Sequence, residues 1–558
     1  MGALETLRYT KEQTRIEKQA RDYAQFTIAR YASLTNDTQV AADFYPRVAL
    51  TVPEDARVSD RAIFSALLVN DVPKAVDLAE KLPSTTLKQS ELARLVLAAE
   101  ALHSDRSAIA LQHLDGPWEN TFHAFIARSM IAWVGFEAGD EEAVSLQTNA
   151  SIGDPALAGI AKVLSAKMQA QRGQTAAALS ALETLWDQRV RLAIGVQTEA
   201  ALLAQAGEAE RARQRIRTFT KQIGRNPALD ALDDQIMAGI IQPEPAMDAA
   251  DGAAVAIYAA TSAIAAESDD DLAAVYYAIA LHLDPDLHAA RALLADTLDR
   301  AGRSADAISI LSDIPETSVY ATNAKGQMAW AYRRMGDDSA ALQIAVDTLA
   351  KSPDRNLQIQ LADLLQSLGR DGEAEAAFSQ IIDADKADGR YDWRIYFARG
   401  AARERLGRWP PAENDLKTAI GLRPDHAGLL NYLGYSWIDR GLNLDEGLAL
   451  ISRALRLDPG NGQITDSLGW AHYKLQNYDQ AIFYLERATE ILPQDAAILD
   501  HLGDVYWQVG RYREAGFQWQ RALQYETDPE RAEFVEQKLL RGTSSLNVSA
   551  RSIEAEVR

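Results

Sequence analysis

Cysteine is absent from all 558 residues. That removes thiol nucleophiles, disulfides, zinc ribbons and iron–sulfur ligation together, and leaves the redox compartment open. Basic residues are few beside the acids: 57 Lys and Arg face 79 Asp and Glu, a formal charge of -22. A field of that sign repels phosphate backbones, so no nucleic-acid partner is expected, and basic protein surfaces are favoured. Long apolar runs are missing too. No stretch approaches the ~20 apolar residues of a membrane span, and the opening MGALETLRYTKEQTRIEKQARDY carries no apolar signal core. The most apolar segment, Ala253 to Ala266, is short and made of small residues, which predicts a buried helix.

Recognisable chemistry is equally sparse. The sequence contains no G-x-x-x-x-G-K-S/T, no G-x-G-x-x-G and no G-x-S-x-G, the commonest nucleotide and serine-hydrolase signatures. Its eight histidines are His103, His113, His123, His282, His288, His426, His472 and His501. None forms H-E-x-x-H or pairs at helical spacing with a second His and a carboxylate, so no metal site is nominated. Carboxylate pairs abound, as any acidic helical chain supplies them, and they do not argue for acid–base catalysis. Neither an enzyme nor a cofactor is expected.

What is present is apolar content and a period. Apolar residues make up 47% and charged residues 24%, enough for a large core. In the C-terminal third, LGYSWIDRGLNLDEGLALISRALRLDP is followed by LGWAHYKLQNYDQAIFYLERATEILP and LGDVYWQVGRYREAGFQWQRAL. Leu433–Gly434 becomes Leu468–Gly469 and then Leu502–Gly503, in steps of 35 and 34 residues, and Ala454, Ala488 and Ala522 follow 34 apart. Upstream the same skeleton passes through Gly407 and Ala412, Gly369 and Ala374, Gly336 and Ala341, and Gly302 and Ala307. It weakens but stays in phase at Gly207 and Gly173, and at Ala75 after Ala41.

These residues resemble the tetratricopeptide repeat, in which a Leu-Gly pair on a first helix, a turn, a small residue on a second helix and a late Pro recur. The resemblance implies an all-α fold, a right-handed superhelical solenoid of stacked antiparallel helix pairs. Small residues belong where two helices cross, so Gly434, Gly469, Gly503, Ala481 and Ala515 mark the crossings. Tyr478, Leu485, Tyr512 and Trp519 are expected to fill the space between pairs. Enlarging Gly469 to Leu should cost about 1 to 3 kcal/mol by overpacking. The expected organisation is an N-terminal helix at 1–21, a degenerate array at 22–242, a middle array at 253–382 and a regular array at 390–525. A capping helix at 526–541 and a mobile tail at 542–558 follow. Candidate joints are Gln242 to Gly252 and Asp383 to Gly389, which are either breaks between superhelices or longer turns.

The first helices should form an inner wall presenting Asn431 and Tyr435, then Asp466, Trp470 and Tyr473, then Asp500, Asp504 and Trp507. Trp470 follows the Leu-Gly pair and is expected either to face the groove as an anchor or to rest on a neighbouring first helix. Asp466 and Asp500 would repel a carboxylate, so the expected partner is a protein or peptide with a basic or apolar helical surface. At the other end Ile16, Ala20, Tyr23 and Thr27 share a helix face that is a second candidate for partner binding, the preferred alternative being that it docks on the first repeat. The long array with regular final repeats looks like the long tetratricopeptide proteins of proteobacteria, including outer-membrane lipoprotein adaptors of C-terminal processing proteases. The function expected is therefore a non-catalytic scaffold or adaptor. Its competitor is an assembly component that oligomerises through its ends and holds no client in the groove. A signal peptide removed upstream of Met1 would place the protein in the periplasm or at the outer membrane, and otherwise it is cytoplasmic. A lipoprotein would need a lipidated cysteine, which this sequence lacks.

Overall fold

The computed structural model describes residues 20–35, 37–142, 144, 154–187, 191–265, 270–351 and 354–540. Ile16, Ala266 and the expected tail at 542–558 lie outside them. Among the described residues every regular element is a helix. The chain divides into two compact units, Met1–Ser352 and Pro353–Arg558. The candidate joint at 242–252 falls inside the first, and helix Asp371–Ala387 runs through most of the other joint, inside the second.

The second unit repeats one local solution. Helix Arg355–Ser367 pairs with Asp371–Ala387, Trp393–Arg405 with Trp409–Leu422, and Ala427–Asp439 with Leu444–Leu457. Gly462–Lys474 then pairs with Tyr478–Ile491 and Ala496–Gln508 with Tyr512–Tyr525, and a helix at 529–540 closes the series. Each first helix starts at a side chain that accepts from its opening amides: Asp354, Asp392, His426, Asn461 and Asp495. Each first helix stops at a left-handed residue, which is Gly369, Gly407, Gly441 and Gly510 but Gln476 in the fourth pair.

The crossings lie where small residues were expected. A Cβ on Gly469 would come within 2.6 Å of Leu485, and one on Gly434 within 2.8 Å of Ile451. One on Gly503 would overlap the Trp519 indole. Ala481 and Ala515 are buried, as are Leu485 and Trp519, which pack on the crossing glycines Gly469 and Gly503 of their own pairs. Tyr512 departs from expectation. It opens its helix beside the turn, where nothing covers its outer side, so it is 43% exposed and rests on Trp507.

The first unit is not a simple sequential stack. Helix Ala56–Leu68 pairs with Val72–Glu80, and Glu91–His103 with Ser107–Leu114. The next long helix, Thr121–Ala138, takes as a partner Ala249–Ile264, from far along the chain. Both are predominantly apolar and bury most of their residues. Their contact is intimate, since a Cβ on Gly252 would fall inside the Trp133 ring. Between them the chain makes an excursion through helices Pro155–Gln171, Thr175–Asp187, Ala193–Gln205, Ala209–Gln222 and Pro227–Met237. The next helix, Asp270–Leu283, lies against the first helices Ala56–Leu68 and Glu91–His103. Polar contacts tie it there: Glu91 to His123 at 2.7 Å, His123 to Tyr276, and Glu100 to His282 at 2.9 Å. The first-helix face of this array is therefore filled by the chain itself.

At 20–34 the expected docking face is corrected. Ala29 and Ala32 are buried, while Ala20 and Thr27 are exposed and Tyr23, Tyr31 and Leu34 are 68–75% exposed. The small residues let this helix approach its neighbour closely, and the bulky face is left outward.

Candidate functional site on the first helices of the second unit

The wall begins on helix Ala427–Asp439. Asn431 and Tyr435 are half-buried there, and Asn431 Oδ1 finds no hydrogen-bond partner among the described residues. Burial pushes the Tyr435 phenol up to about 12, helped by Asp439 and Asp466 and opposed by Arg531.

One helix on, Asp466 is buried and takes a hydrogen bond from His501 Nδ1 at 2.9 Å. Trp470 lies between two rings, stacked on Tyr473 at 4.8 Å and on His501 at 4.1 Å. Lys474 Nζ stands 5.3 Å from its centroid. Its Nε1 is buried without a partner among the described residues. Trp470 thus rests on the next first helix and does not stand free toward a groove.

The last first helix carries Asp500, Asp504 and Trp507. Lys538, from the helix at 529–540, reaches both carboxylates at 2.8 Å. The Trp519 indole N–H donates to Asp504 at 3.3 Å. Burial pushes the Asp504 carboxyl up, with Asp500 adding to the effect and Lys538 opposing it. Burial works to lower the His501 imidazolium, but Asp466, Asp500 and Asp504 outweigh it and hold the group above its ordinary value. Trp507 packs on Tyr512 at 4.5 Å and on Trp519 at 5.6 Å.

The structure thus joins the second and third expected groups through His501, while Asn431 and Tyr435 lie one pair upstream. It also corrects the expected free acidic wall. Two of its three carboxylates are met by Lys538 and the third by His501, so the chain supplies its own basic groups. Neither was singled out from sequence, although the period pointed to both. Lys538 lies 34 residues after Asp504, and His501 lies 35 after Asp466. What hid them is that side chains one repeat apart meet across the wall.

The arrangement offers no reactive constellation. Among the described residues no group of three or more His, Asp or Glu could hold a metal. No described helix is long and apolar enough to cross a membrane.

Comparison with known proteins agrees with the geometry in this unit. The tetratricopeptide-repeat family matches residues 397–462 and again 466–495. Tetratricopeptide repeats thus lie within residues 397–495. A TPR repeat-containing protein of Pseudomonas aeruginosa, PA4667, is 30% identical over 125 residues, 22% of this chain and 21% of that protein. The chain thus spans about one fifth of that relative's length. Among solved structures, the Cut9–Hcn1 hetero-tetramer of the APC/C aligns over 94% of this chain and 96% of its own, with 15% identity and a TM-score of 0.39. Yeast Tom70 aligns over 96% and 99%, with 14% identity and a TM-score of 0.39. Proteins built on this repeat generally mediate protein–protein interactions and are typically non-catalytic.

Proposed function

We propose that the chain is a non-catalytic scaffold or adaptor that takes a protein or peptide partner on the first-helix wall of its second unit. The carrying observation is the row of half-buried aromatics, Tyr435, Tyr473 and Trp507, on three successive first helices. Such rings offer apolar area at little entropic cost and anchor interfaces. A partner with an apolar helical surface suits these rings. In its narrower form, drawn from the resemblance to outer-membrane adaptors, the partner is a C-terminal processing protease of a bacterial envelope.

The test is affinity capture with mass spectrometry, comparing the parent with a Tyr435→Ala, Tyr473→Ala double variant. Each anchor is worth roughly 1 kcal/mol or more, so captured partner should fall about ten-fold or further while the helical circular dichroism stays unchanged. Undiminished capture would remove the wall from the function. A second reading, self-assembly through an end, has the outward Tyr23, Tyr31 and Leu34 in its favour. A sedimentation coefficient that does not rise with concentration excludes it.

A further inference from the structure

The helix at 529–540 covers the last pair with very little of itself. Of its twelve residues Val535 alone is buried, at 4% exposure, against Leu499, Leu502, Ala515 and Trp519. Lys538 adds its pairing with Asp500 and Asp504, while Phe534 and Leu540 are each 60% exposed. The helix before it, Tyr512–Tyr525, buries Ala515, Trp519 and Ala522. A segment held by one buried valine, a half-buried Leu539 beside Gly516 and the two pairs of Lys538 belongs to the low-stability end of a fold.

We propose that this helix is a tethered occupant of a docking site whose partner is an amphipathic helix that seats one lysine. That partner would offer an aliphatic side chain and, three positions later, a lysine, as Val535 and Lys538 do. The inference rests on the wall being a protein-binding surface, and it specifies that surface's end. Three observations give the partner its chemistry. The site is where a further first helix would stack, since Lys538 follows Asp504 by one 34-residue period, so its shape accepts a helix. It presents two carboxylates to one cation, and the burial that raises Asp504 makes a closely seated positive charge favourable. Removal of the helix without replacement would open Leu499, Leu502 and Trp519 to water, so exchange for another helix is favoured over simple opening.

Two measurements on the full chain decide it. In the parent, amides of 529–540 should exchange at least ten-fold faster than those of Tyr512–Tyr525, and equal protection overturns the proposal. A fluorescein-labelled synthetic peptide of residues 526–541 is then titrated against the parent and against a released Val535→Asp, Lys538→Glu variant. The released chain should bind it at least ten-fold tighter than the parent, and adding Asp500→Lys with Asp504→Lys should abolish that binding. Equal affinity for both chains, or binding indifferent to the two aspartates, overturns the proposal. So does a parent dimer that the peptide dissolves, which would assign the site to a second copy of this chain. Each failure leaves the Tyr435 and Tyr473 capture experiment standing, so loss of the tethered occupant and loss of the wall are told apart.

Discussion

Asp363 is a residue whose setting is at odds with its charge. It lies on helix Arg355–Ser367, half-buried, and burial alone pushes its carboxyl up to about 6. A carboxyl raised in the folded state above its unfolded value binds its proton more tightly when folded. Its favourable contribution is therefore full below the ordinary carboxylate range and is lost as pH rises through about 6. At pH 7.5 the ionised group costs stability, roughly 1 to 2 kcal/mol after allowance for its partial exposure. Asp363→Asn should raise the urea midpoint of the second unit at pH 7.5 and leave it almost unchanged at pH 4. A gain of equal size at both values would show that charge is not the cause. His501 illustrates the opposite balance, because three neighbouring carboxylates outweigh its burial and raise it above its ordinary value.

The repeating element is a helix pair whose first helix must stop abruptly and turn. A left-handed residue does this, and glycine meets the demand without strain at Gly369, Gly407, Gly441 and Gly510. Gln476 adopts the same conformation at φ 62° with a side chain, which costs about 1 kcal/mol where glycine costs little. Gln476→Gly should therefore stabilise the second unit by about 0.5 to 1 kcal/mol, read as a higher urea midpoint at unchanged slope. Destabilisation would mean that the glutamine side chain contributes a contact worth more than the strain. The crossings obey a different constraint. Gly469 is held small by Leu485 and Gly503 by Trp519, so the same residue type serves two purposes within one repeat.

Across the whole molecule, the decisive feature of the first unit is that helix Ala249–Ile264 returns to Thr121–Ala138. Gly252→Leu, which would drive a side chain into Trp133, should loosen both helices together by about 1 to 3 kcal/mol of overpacking. Hydrogen exchange checks it: protection should fall over 121–138 as well as 249–264, whereas loosening of 249–264 alone would contradict the pairing. None of this was legible from the period. The repeat at Leu468–Gly469 and Leu502–Gly503 announced an all-helical stack and its crossing residues, because each pair satisfies its own turns, caps and crossing from residues close in sequence. The apolar run from Ala253 told that a helix there is buried, but not by what. Likewise the row of Asp466, Trp470, Asp500 and Asp504 could be read from spacing, while its pairing with His501 and Lys538, one period on, shows only where the side chains meet across the wall. Local geometry is encoded within 34 residues. Which surface covers which, and which charges meet, depends on contacts between distant segments, and for those only the folded chain supplies the distances.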